Sequence, residues 1–149
     1  MNARGKLIDI QSGGDIVYSD KFFRENDALK EFMILCIGLG MIPELSNVGR
    51  KRGLILSGLG VSMKFEICSD PICIKIAFIK MLLNNTYCMQ HYYEAVSTVI
   101  GKLIDCARKY NVVLGAWVCD DDLPVYKLLG FKIIEKYDKF WVEYSHLLS

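Results

Sequence analysis

The run Val125-Tyr126-Lys127-Leu128-Leu129-Gly130-Phe131 passes without a break into Lys132-Ile133-Ile134-Glu135. It reads as a short helix that a glycine stops and that hands directly to a β-strand, because glycine takes the left-handed backbone of a helix C-cap without steric penalty. Two roles for Tyr126 follow. Its ring packs on the sheet while Phe131 enters the core, or its phenol lies over a cleft and donates a proton to a leaving group.

Hydrophobic periods place the other elements. Residues 6–10 and 15–18 read as short strands. Ser19 or Asp20 then caps a helix in which Phe22, Phe23, Leu29, Phe32, Met33, Cys36 and Ile37 recur near the helical period, and Gly38 and Gly40 stop it. Residues 41–52 read as a loop, and 54–56 and 61–68 as strands around a Ser-Gly-Leu-Gly turn. In the second of these, Val61, Met63, Phe65 and Ile67 point one way and Ser62, Lys64 and Glu66 the other, the pattern of a sheet with one wet face. Residues 72–82 are apolar on both sides except for lysines, as in a central strand.

Asn84, Asn85 and Thr86 open a long amphipathic helix whose stripe is Tyr92, Val96, Val99, Ile100, Leu103 and Ala107, ending near Tyr110 and Asn111. A buried strand over 112–118, the helix over 122–129 and a hairpin of 131–137 with 140–144 complete the chain. The order ββ-α-βββ-α-β-α-ββ predicts an α/β protein of the α+β kind, with a mixed, mostly antiparallel central sheet flanked by helices and parallel neighbours where the long helix crosses. Its 149 residues, 52% of them hydrophobic, suit one well-cored domain over residues 1–149.

The spacing of Tyr126, Gly130 and Phe131 resembles the Tyr-x-x-x-Gly-Phe signature near the C-terminus of the GNAT family, the acetyl-CoA-dependent N-acyltransferases, and the element order over residues 72–144 is similar to that family's second half. The resemblance implies that Tyr126 is the general acid toward the departing CoA thiolate. It implies a carboxylate, Asp121 in the run Asp120-Asp121-Asp122, that takes up or holds the substrate amine. Acidic residues ahead of Pro124 equally suit a helix N-terminus, as cap and against the dipole.

The resemblance further implies an Arg/Gln-x-x-Gly-x-Gly/Ala loop in which backbone amides and a helix N-terminus hold the pyrophosphate. That loop aligns with residues 90–96, which keep a glutamine and an alanine and contain no glycine. The implied acetyl-CoA contacts are therefore Gln90, Tyr93, Ala95 and Val96, in an eroded loop. Two functions remain open. One is an acyl-CoA N-acyltransferase acting on a small amine. The other is a non-catalytic GNAT-like module that binds a protein partner, similar to the acyltransferase-like internal virion proteins of short-tailed bacteriophages, which would place it in a cytoplasm or inside a virion.

Composition limits the alternatives. Eighteen basic residues against 17 acidic ones give no global field toward nucleic acid or an anionic membrane. The one basic cluster, Arg50-Lys51-Arg52 between two glycines, fits a solvated turn and is too short for a nucleic-acid footprint. The apolar runs at 32–42 and 72–83 are too short to span a bilayer, and Lys75 and Lys80 interrupt the second. Met1 to Asp20 has no apolar segment of the secretory kind. The six cysteines, Cys36, Cys68, Cys73, Cys88, Cys106 and Cys119, sit among aliphatic residues without a Cys-x-x-Cys pair, as buried reduced thiols do. His91 and His146 have no neighbouring ligands at metal-binding spacing, so no metal is expected.

Overall fold

The computed structural model describes residues 22–48, 51–69, 71–82 and 89–145. In chain order these form α1 (Phe23–Gly38), β1 (Ile42–Val48), β2 (Lys51–Gly58), β3 (Val61–Ser69), β4 (Ile72–Met81), α2 (Met89–Tyr110), β5 (Leu114–Val118), α3 (Leu123–Leu128), β6 (Lys132–Lys136) and β7 (Phe140–Tyr144). The strands make one mixed sheet in the order β1-β2-β3-β4-β5-β7-β6, antiparallel throughout except where β4 meets β5. This is the mostly antiparallel α+β architecture read from the sequence. As expected, β4 is the central strand, and the long helix makes the crossover that two parallel neighbours require.

Helix α1 stops at Gly40, whose φ of 92° lets the Met41 amide reach back to the Cys36 carbonyl at 3.0 Å. The Ser19 and Asp20 caps, the Asn84 to Thr86 helix start, and the strands expected at 6–10 and 15–18 lie outside the described residues. So do Gly49, Arg50, Cys88 and His146.

Two expectations are corrected. Residues 41–52 are not a loop: β1 and the start of β2 occupy most of that stretch, paired from Ile42↔Ser57 to Val48↔Lys51. Pro43 and Asn47 weaken the local strand signal, yet β1 is an edge strand, where a missing proline donor costs little. Nor is the second face of β3 wet. Ser62, Lys64 and Glu66 are buried along with Val61, Met63 and Phe65. Glu66 stands between two ammonium groups, Lys64 at 3.2 Å and Lys75 at 3.9 Å, and this compensation is what permits charge inside a sheet face.

The core lies on one side of the sheet. Phe32 and Leu29 of α1, Val99, Ile100 and Leu103 of α2, and Leu54, Leu56, Met63, Phe65, Ile74 and Leu114 from the strands are all essentially inaccessible. Phe32 and Phe65 meet edge to face at 4.9 Å between ring centres. The helical stripe read from the sequence, Val96 through Ala107, is the face that α2 turns into this core.

Candidate functional site

What makes a site in this sheet is the way β4 parts from β5. The two strands pair at only three positions, Ile74↔Leu114, Lys75↔Gly115 and Ile76↔Ala116, although β4 continues to Met81 and β5 to Val118. The cause is local. Across the β3–β4 pair, Lys64 opposes Phe78 and Phe65 opposes Ile76, so Ala77 has no opposite residue and forms a β-bulge. A bulge bends its strand and switches the side-chain alternation. Ile74 and Ile76 face the core before it, and Ile79 packs against the core after it. The bend falls one residue beyond the last position paired with β5.

The resulting opening is a cleft of about 560 Å³. Its walls are Ile79, Lys80 and Met81 from the end of β4, Tyr92 and Tyr93 from the first turns of α2, and Cys119, Asp121 and Asp122 from the turn after β5. A second cleft, about 770 Å³, runs between α2 (Gln90, Tyr93, Glu94, Ser97, Thr98) and α3 (Val125, Leu128, Leu129). Tyr93 lines both, so the two clefts are neighbours and together form the groove.

Tyr126 sits behind this groove. Pro124 opens the six-residue helix α3, and its end satisfies the Schellman pattern: the Phe131 amide donates to the Tyr126 carbonyl at 3.0 Å and the Gly130 amide to that of Lys127 at 3.0 Å, with φ 102° at Gly130. The apolar contact that accompanies such a cap is the edge-to-face pair of Tyr126 and Phe131, 5.0 Å between centres. The Tyr-x-x-x-Gly-Phe spacing is thus accounted for as helix-stopping mechanics. Tyr126 is only 5% exposed. Burial raises its phenol pKa, and the charges of Asp122, Tyr92 and Cys119, all three in the cleft wall, add to the effect, so the hydroxyl stays protonated. Tyr92 is shifted upward in the same way, first by burial and then by Asp122.

The acidic run divides its roles. Asp122 holds the N-cap position of α3 without a side-chain bond to the helix, and its carboxylate accepts from the Cys119 thiol at 3.5 Å. Asp121 is exposed and lines the cleft.

Of the other residues singled out from the sequence, Gln90 and Tyr93 line the groove, and the Gln90 amide donates to Glu94 at 3.2 Å. Ala95 packs against the core and Val96 is buried in it. Residues 90–96 are helix, the first turns of α2, so their contribution to a ligand comes from Gln90, Tyr93 and the helix start. The structure therefore places Asp121 and Tyr93 in one cleft and Gln90 and Tyr93 in its neighbour, buries Tyr126 and turns Ala95 and Val96 inward. Sequence reasoning missed Ile79 to Met81, Ser97 and Thr98. The shift in parity from Ile74 and Ile76 to Ile79 and Met81 was the available signal.

Among the described residues no cluster of three or more His, Cys, Asp or Glu side chains could hold a metal ion, and no helix is long and apolar enough to cross a membrane. Comparison of the chain with protein-family models, curated proteins and solved structures finds no match.

Proposed function

We propose that this chain is a GNAT-like, acyl-CoA-dependent N-acyltransferase-type domain with an eroded phosphate loop, and that its thioester ligand enters where β4 leaves β5. The observation that carries the reading is the bulge at Ala77. Among the described residues, it leaves the β5-facing backbone edge of Ile79, Lys80 and Met81 without a strand partner. Unpaired strand amides and carbonyls favour an extended ligand that itself carries amides, as the pantetheine arm of CoA does.

This chain's own residues supply the remaining chemistry. Asp121 on the opposite wall suits an acceptor that arrives as a cationic amine, and can take its proton. Tyr126 is the donor for a leaving thiolate in this reading; burial raises its pKa and so weakens it as an acid, and it acts only when ligand binding opens the cleft to it. With no glycine in residues 90–96, Gln90 and the α2 N-terminus remain for the phosphate end.

The burial of Tyr126 favours a second reading, a non-catalytic module of the same architecture that uses the groove for a protein partner. Thermal unfolding with acetyl-CoA distinguishes the two, because a ligand that binds only the folded chain raises Tm by mass action. The enzyme reading requires a rise in Tm that grows with ligand concentration. A flat response at millimolar acetyl-CoA would leave only the module.

A further inference from the structure

We propose that Cys68 and Cys73 form an oxidisable dithiol, a site at which hydrogen peroxide closes a cross-strand disulfide. The two residues are directly opposite one another in the antiparallel β3–β4 pair, next to the turn that joins the strands. Residues opposed in this way have Cα atoms about 4.5–5.5 Å apart and side chains on one face, within the roughly 4.4–6.8 Å span that disulfides bridge. Both are thiols in this structure, and their side chains are hydrogen bonded to each other. An oxidant can reach the pair through Cys68, since both line a pocket of about 220 Å³ walled by Lys75, Glu135, Trp117 and Trp141. Cys73 is buried and Cys68 is half-buried.

This asymmetry assigns the steps. Cys68 attacks one peroxide oxygen as its thiolate, and the O–O bond breaks to give a sulfenic acid and, after protonation, water. Cys73 then attacks the Cys68 sulfur, its proton leaving with the departing hydroxide as a second water. The pair of sulfurs loses two electrons and peroxide gains them. The hydrogen bond and burial keep Cys73 protonated until that second step, while the Lys75 ammonium opposes the shift. By contrast, burial pushes Cys36 and Cys106 up to about 12, and neither lines this pocket.

The test uses the full chain, native and reduced, exposed to graded hydrogen peroxide, quenched by alkylation and mapped without reductant. The expected result is one peptide pair linking Cys68 to Cys73, with loss of two alkylatable thiols. Both tryptophans of the chain wall the pocket, so their fluorescence should fall in step and recover with dithiothreitol. Cys68→Ser and Cys73→Ser should each abolish the reversible change, and Cys119→Ser should keep it. Should Cys73→Ser not fold, the wild-type map and Cys68→Ser carry the same decision. Oxidation confined to the exposed Cys119, or a linkage that appears only in denaturant, would overturn the proposal.

Discussion

The β4–β5 seam has two halves that behave oppositely. In the first, Ile74, Lys75 and Ile76 pair with Leu114, Gly115 and Ala116, and the inward residues Ile74, Ile76, Leu114 and Ala116 are buried in the core. In the second, the same two strands separate, and a cleft with two tyrosines, two aspartates, a lysine and a thiol occupies the gap. One residue, Ala77, divides them. The comparison teaches that a single bulged residue, by interrupting an otherwise regular ladder, turns one half of the seam into core and leaves the other half as an open cleft.

Substitutions in each half should therefore move different observables. In the open half, Tyr126→Phe removes only the buried hydroxyl. If the groove carries out acyl transfer, kcat/KM for acetyl transfer to an amine panel should fall by roughly 10²- to 10⁴-fold, the usual worth of a positioned general acid, while the acetyl-CoA-dependent rise in Tm persists. Unchanged turnover would remove Tyr126 from the chemistry.

In the closed half, Gly115 lies against the ring of Trp141 on the neighbouring strand β7, and any Cβ there runs into the Trp141 ring. Gly115→Val should destabilise the chain by about 1–3 kcal/mol, as overpacking does. A urea midpoint measures this, and the acetyl-CoA affinity of the protein that remains folded should not change. A loss of affinity equal to that in an open-half variant would erase the distinction between the halves.

The smallest effect belongs to a contact away from the seam. Lys109 and Tyr110 of α2 donate to Glu31 of α1, at 2.9 and 2.8 Å, and these bonds, Lys109 first, lower the Glu31 pKa from the ordinary 4.5. A depressed carboxylate stabilises the fold above its unfolded pKa, and that stabilisation fades as pH falls through the folded value. Glu31→Gln should accordingly lower Tm slightly at neutral pH, with the gap to wild type closing under acid. A gap that widens on acidification would show that the pair does not act through Glu31 ionisation.

The limits of the sequence reading follow the same physical lines. The helical stripe of α2 and the glycine stop at Gly130 were legible because period and backbone conformation are local properties. β1 was hidden, since its strand character comes from pairing with β2, against the weak propensity of Pro43 and Asn47. The burial of Lys64 and Glu66 depended on Lys75, which comes from the next strand. The bulge left only a shift in parity after Ile76 as its signal, which is easily missed because Ala77 and Phe78 are both apolar and leave no polar break in the run. In the site, Tyr126 and Asp121 could be picked out by residue type, but the burial of Tyr126 and the nearness of Tyr92 to it depend on packing between segments distant in sequence.

The central claim is that the bulge at Ala77 makes the ligand site, and deleting that one residue tests it most directly. Removal leaves Ile76 opposite Phe65 and Phe78 opposite Lys64, so the β3–β4 register, Ile79 and Met81 keep their places while β4 straightens alongside β5. Titration calorimetry with acetyl-CoA should show one-to-one binding to the wild-type chain and none to the folded deletion variant. Equal binding by both chains, or no binding by the wild type at millimolar acetyl-CoA, would contradict the account.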